Sequence, residues 1–148
     1  MDTVGVKFLQ LAGTVAPMAL GAIGSSIGCG VAGNSLHGAM KLVDEGHGKL
    51  IGMSAAPSSQ TIYGIVLMFI LKGKITNPET AAGLFGIGVL CGLAIMTSAI
   101  YQGIACATGI KESAIKSEIY GKSWVPIAMV EGFAVFTMVF GIIAAGML

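Results

Sequence analysis

Arginine is absent from this sequence, and charge of either sign is scarce: eight lysines and seven acids make up 10% of 148 residues. Soluble domains carry about 25% charged residues, so this composition leaves no room for one. The formal net charge of +1 supplies no basic face and excludes a nucleic-acid partner. Cysteine is sparse as well. Cys29, Cys91 and Cys106 are odd in number, lack C-x-x-C spacing and fall inside apolar stretches. They read as small packing residues, not as disulfides or metal ligands. The segment GCGVAG from Gly28 to Gly33 fits G-x-G-x-x-G, but that pattern signals a dinucleotide only after a strand and within a βαβ unit. Here it sits inside an apolar run, and the nucleotide reading is set aside. No set of residues for ATP hydrolysis is present, so the chain is not expected to hold a catalytic site.

What the sequence has in quantity is apolar length. It is 55% hydrophobic, with a mean hydropathy of +0.88. Three runs are free of charge: Phe8–Met40, Leu50–Leu71 and Thr80–Ile110. A fourth, Trp124–Leu148, holds one acid. Each is long enough to cross a bilayer as a helix. The expected fold is therefore an all-α membrane protein with four transmembrane helices. Lys41, Lys49, Lys111, Lys116 and Lys122 fall in the loops joining the first to the second and the third to the fourth helix. Lys7, Lys72 and Lys74 fall at the N-terminus and in the middle loop. The positive-inside rule then puts the first and third loops in the cytoplasm and both termini outside. The first apolar run is too long for a signal peptide, and Asp2 precedes the only early lysine, so the first helix is expected to be retained.

The single acid of the fourth run, Glu131, is the most informative residue. A carboxylate at mid-membrane costs roughly 3 kcal/mol or more if it stays ionised, and such residues mark ion pathways. The alternative is a structural acid neutralised by a cation on a neighbouring helix. None of the other three runs contains a lysine or arginine, so the chain offers no such partner and the acid reads as an ion binder.

The chain also repeats itself. Shifting the second half back by 75 lays Gly103 on Gly28 and Lys116 on Lys41, while a shift of 71 lays Glu131 on Gln60. Two hairpins are expected, residues 1–75 and 76–148, the second carrying the acid. The first and third helices are glycine-rich, with rows at 21, 24 and 28 and at 83, 86 and 92. The second and fourth carry bulky Tyr63, Phe69, Trp124, Phe133, Phe136 and Phe140. Small residues let helix backbones approach closely in lipid. This asymmetry suits a ring of hairpins, with odd helices crowded inside and even helices outside.

Other polar residues lie at membrane depth: Ser58, Ser59, Gln60, Thr61 and Tyr63 on the second helix, and Thr97, Ser98, Tyr101 and Gln102 on the third. A buried glutamine is costly unless its amide is satisfied, so Gln60, Gln102 and Glu131 suggest one cluster. Gln60 and Tyr63 are three apart and share a helix face. Pro57 has no N–H, so the Met53 carbonyl is expected to lose its helical partner and the helix to kink. Diverted carbonyls at such breaks line ion sites in transporters; equally, Pro57 could do no more than shape the helix. A proton needs only Glu131 and an acceptor, whereas Na⁺ prefers a full set of oxygen ligands. Glu131, both glutamine oxygens, the Ser59 hydroxyl and a carbonyl near Pro57 form such a set.

The segments Pro57-Ser58-Ser59-Gln60-Thr61-Ile62-Tyr63-Gly64, Tyr101-Gln102-Gly103-Ile104-Ala105 and Ala128-Met129-Val130-Glu131 resemble the membrane-ring proteolipid of rotary V-type ATPases. The resemblance spans nearly the whole chain and is strongest to the bacterial sodium-pumping branch. It implies a homo-oligomeric ring in the cell membrane, its outer rim against lipid. The ring would turn against a stator membrane subunit and be driven by a central shaft docked on the cytoplasmic loops. It also implies Na⁺ (or H⁺) as cargo, with Glu131, Gln60, Gln102, Ser59 and the Ala56 carbonyl as ligands, Pro57 in support, and Tyr63 holding Glu131 in a locked state. Three positions depart from the sodium type: Ala56 where Leu is common, Ser59 where Thr is common, and Gly132 where a hydroxyl residue is common.

His47, in the polar stretch Asp44–Lys49, reads as solvated. His37, near the cytoplasmic end of the first helix, is also expected to be a surface residue, a shaft contact being the sharper alternative for either. Two rival functions remain at this level. One is a small four-helix cation or drug antiporter, whose acid lies in the first helix among aromatics. The other is a structural or pore-forming membrane protein, which would leave the paired glutamines unexplained.

Overall fold

The structure, a computed structural model, describes residues 3–148; Asp2 lies outside them. It contains five α-helices: α1 (Thr3–Ala39), α2 (His47–Ala55), α3 (Ser59–Lys72), α4 (Ala81–Ile115) and α5 (Tyr120–Ala145). Short 3₁₀ turns at Ala56–Ser58, Pro78–Thr80 and Ser117–Ile119 join or prolong them. Four spans are long and apolar enough to cross a membrane: Thr3–Ala39, His47–Lys72, Pro78–Ile115 and Ser117–Ala145. The second of these is α2 and α3 joined through the 3₁₀ turn at Pro57.

The helices outrun their apolar segments. α1 has 37 residues, about 55 Å at the helical rise, against a hydrocarbon core of about 30 Å. Helical structure therefore continues into the charged ends and takes in Lys7, Lys49, Lys111 and Lys122. His47 opens α2 instead of lying free in a loop, and its Nε2 meets the Val43 carbonyl at 2.8 Å. His37 is exposed in the last turn of α1.

α1 and α4 pack backbone to backbone. A Cβ added at Gly88 would strike the Gly13 main chain, and one at Gly103 would strike that of Gly28. Both pairs are 75 residues apart, the offset of the internal repeat, so the two long helices run parallel with equivalent heights in contact. The row 83, 86, 92 does not act as a unit. Gly83 meets only the Leu148 side chain and Gly86 faces open space, while Gly92 lies against Ala16 and Leu20 of α1 and is joined in the close approach by Gly88 and Gly103. The GCGVAG segment is helix interior, its first glycine fixed by the Ala99 carbonyl and Pro57.

α3 lies against both α1 and α4, and α5 lies against α4 and α3. Phe69, Phe133, Phe136 and Phe140 are exposed, as expected of side chains facing lipid. Two apolar clusters form the core. One holds Leu36, Leu50, Met53, Cys106, Ile110 and Ile127 at the end of the first and third loops. The other holds Leu67, Leu71, Leu84 and Ala145 at the opposite end. Cys106 is buried packing in the first cluster, and all three cysteines are free.

Candidate ion-binding site

Between the two apolar clusters sits a polar one, built from three helices. α3 supplies Ser59, Gln60 and Tyr63, α4 supplies Gln102, and α5 supplies Glu131. Gln60 and Gln102 are fully buried. The Gln60 amide donates to Gln102 Oε1 at 2.6 Å. Gln102 Nε2 in turn donates to Glu131 Oε2 at 3.2 Å and to the Ile127 carbonyl at 3.3 Å. Glu131 Oε1 accepts from the Ser59 hydroxyl at 2.7 Å and from the Tyr63 hydroxyl at 2.6 Å. Three donors thus converge on one half-buried carboxylate, and no lysine is among them.

Pro57 sets the local geometry. Without an N–H it cannot continue the α-helical ladder, and the chain tightens into the 3₁₀ turn. Contrary to the expectation from sequence, the Met53 carbonyl keeps a partner: the Ala56 N–H bonds to it one position early. The carbonyl that enters the site is that of Ala56. It accepts the Ser59 N–H and also lies 3.1 Å from the Ser59 hydroxyl oxygen. The restart of α3 is held from α1, where Ser25 Oγ accepts the Thr61 N–H at 3.2 Å.

Ser59 Oγ is the hub. Within 3.2 Å of it lie the Ala56 carbonyl, Gln60 Oε1 and Glu131 Oε1. A hydroxyl has one proton to give, and Glu131 is the nearest acceptor. The remaining contacts are oxygen against oxygen, an electron-rich pocket with more lone pairs than protons. Such a pocket is stabilised by a cation.

Every residue the sequence singled out as a ligand or support, including Pro57, lies in or beside this cluster. Several other polar residues at the same depth do not join it. Ser58 donates to the Ala55 carbonyl at the end of α2, Thr97 donates to the Leu93 carbonyl of its own helix, and Tyr101 is exposed. Two serines acquire contacts that the sequence did not disclose: Ser25, described above, and Ser98, which donates to the Val130 carbonyl at 2.8 Å. Ser98 lies four residues before Gln102, a spacing that places both on one face of α4.

A membrane-embedded pair of helical hairpins with one carboxylate caged by amides and hydroxyls defines a class of ion-handling proteolipid. The chain belongs to the ATP synthase C-subunit family, whose profile matches twice, over residues 12–71 and 85–144. Among curated relatives, the A-type ATP synthase subunit K of Methanocaldococcus jannaschii is 33% identical, over 95% of this chain and 68% of its own length. The V-type sodium ATPase subunit K of Enterococcus hirae is 30% identical, over 91% of this chain and 88% of its own. Family membership together with four apolar helices makes this a multi-pass membrane protein.

Proposed function

We propose that this chain is a rotor-ring subunit of an A/V-type rotary ATPase and carries a cation, Na⁺ in preference to H⁺, on Glu131. The oxygen pocket around Ser59 Oγ is the observation that carries this reading. A proton requires Glu131 and one acceptor. Five oxygen-bearing groups, from Ala56, Ser59, Gln60, Gln102 and Glu131, exceed that need and match a hard cation. The name of the Enterococcus hirae relative, a sodium ATPase subunit, supports the same choice.

Each residue then has a defined task. Glu131 supplies the negative charge that balances Na⁺, so the loaded site is neutral where it meets lipid. The Ala56 carbonyl, the Ser59 hydroxyl and the Gln60 and Gln102 amide oxygens replace water around the ion. Gln102 Oε1 now accepts from Gln60, so taking up Na⁺ asks the two amides to reorganise toward the ion. Tyr63 needs no change: its hydroxyl donates to the carboxylate and keeps it folded against α3. Ser59 and Ala56 keep the hydroxyl and the main-chain carbonyl that this ligation needs.

The unit of repeat is the hairpin, residues 1–75 and 76–148, with Gln60 in the first at the place Glu131 holds in the second. Identical copies close into a ring whose α1 and α4 line the inside and whose α3 and α5 face lipid and the stator. The first and third loops and the helix ends beside them, which together carry five of the eight lysines, face the cytoplasm and receive the shaft; both termini lie outside. ATP is hydrolysed by other subunits. The mass of the purified assembly in mild detergent tests the ring directly. A stable particle of many copies is expected; a dimer would contradict the rotor and favour an antiporter.

A further inference from the structure

We infer that Ser98 is a positioning residue for ion binding, an inference that rests on the rotor reading above. Its hydroxyl, buried on α4, donates at 2.8 Å to the carbonyl of Val130, the peptide immediately before Glu131. One turn further along α4, Gln102 donates to the Ile127 carbonyl and to Glu131 itself. Two donors four residues apart on α4 therefore grip two carbonyls three residues apart on α5. Two such rungs fix both the height and the rotation of α5 against α4, which a single rung cannot do.

The need for a second rung is visible in the sequence that follows. Gly132 comes directly after Glu131, and nothing lies within 4 Å of where its Cβ would be. Glycine in a helix interior adds backbone freedom, and α5 is the least buried of the four spans. The Glu131 backbone is thus least restrained on its C-terminal side, and Ser98 restrains it on the N-terminal side. The Val130 carbonyl can accept this bond without leaving the α5 ladder, because a carbonyl oxygen has two lone pairs. Ser98 gives its hydroxyl proton to the Val130 carbonyl and not to an oxygen of the pocket, so it acts through Glu131 and is not a ligand.

The test is ATP-driven ²²Na⁺ uptake by vesicles holding the complete complex. Ser98→Ala is expected to raise the half-saturating Na⁺ concentration about threefold to tenfold, the span typical of one interhelical hydrogen bond in a membrane. The maximal rate per assembled ring should be retained, and Ser98→Thr, which keeps the hydroxyl, should restore the wild-type value. A purely structural serine would lower the amount of ring and leave half-saturation unmoved, and that outcome overturns the inference. If Ser98→Ala does not assemble, Ser98→Cys, with a weak donor of similar size, is read the same way. If the wild-type complex takes up no Na⁺, the sodium reading fails separately. The Ser98 comparison then moves to the pH midpoint of Glu131 modification, where an unshifted midpoint would refute it.

Discussion

Replacing Glu131 by Gln is expected to abolish ATP-driven cation transport while leaving the ring assembled. Glutamine keeps the volume, and its oxygen can still accept from Ser59 and Tyr63, which meet Glu131 Oε1 at 2.7 and 2.6 Å. It carries no charge, so it imposes no ionic cost at membrane depth; its NH2 replaces the oxygen that accepts from Gln102 Nε2, and rotation of the Gln102 amide relieves that donor pair, so the helices stay packed. What disappears is the only acidic side chain in the pocket. Removing one partner of a buried charge pair costs roughly 3 kcal/mol or more, about 100-fold in occupancy. Ion uptake by vesicles containing the whole complex should fall to background, with the detergent particle unchanged in mass. Transport that survives the substitution would remove Glu131 from the mechanism.

Gln102→Ala is expected to weaken Na⁺ binding by about 10-fold to 100-fold, the cost of leaving buried polar partners unsatisfied. Gln102 is fully buried and touches three groups: Gln60, Glu131 and the Ile127 carbonyl. Without it the Gln60 amide loses its acceptor and the pocket loses one oxygen. Proton binding should suffer much less, because a protonated Glu131 still has Ser59 and Tyr63 beside it. The comparison is the half-saturating Na⁺ concentration against the rate of proton transport in Na⁺-free medium. Equal losses in both would mean that Gln102 orders the cluster without ligating the ion.

Much of this site was legible in the sequence because polar residues at membrane depth are few and costly. Glu131 stands alone in an apolar run, and Gln60 and Gln102 have no solvent to satisfy them there. Each had to find the others, and the hydrogen-bond chain Gln60 to Gln102 to Glu131 is what results. The internal repeat was legible for a related reason. An offset of 75 that aligns residues in the sequence also brings Gly28 against Gly103 in space, because parallel helices of equal pitch keep equal heights together.

What the sequence hid is equally physical. Proline removes a donor, which suggested an orphaned Met53 carbonyl. The 3₁₀ turn shifts the ladder by one residue, so the Ala56 N–H serves Met53 and the Ala56 carbonyl meets Ser59. Such local compensation depends on where the chain on both sides can move, which a residue pattern does not encode. Likewise Ser98 and Thr97 are adjacent and look equivalent among the polar residues of the third apolar run. One faces α5 and grips Val130, the other turns back to Leu93 on its own helix. Only the rotation of α4 about its axis tells them apart. The spacing of four to Gln102 was the one signal that favoured Ser98.

The most direct test of the central claim is modification of Glu131 in the isolated ring by a hydrophobic carbodiimide, which attacks a protonated carboxyl, followed across pH with and without Na⁺. The account predicts labelling at Glu131 that millimolar Na⁺ suppresses, because ion and proton compete for one carboxylate. Labelling indifferent to Na⁺ would contradict the sodium site and leave Gln60 and Gln102 as hydrogen-bond partners of a proton carrier.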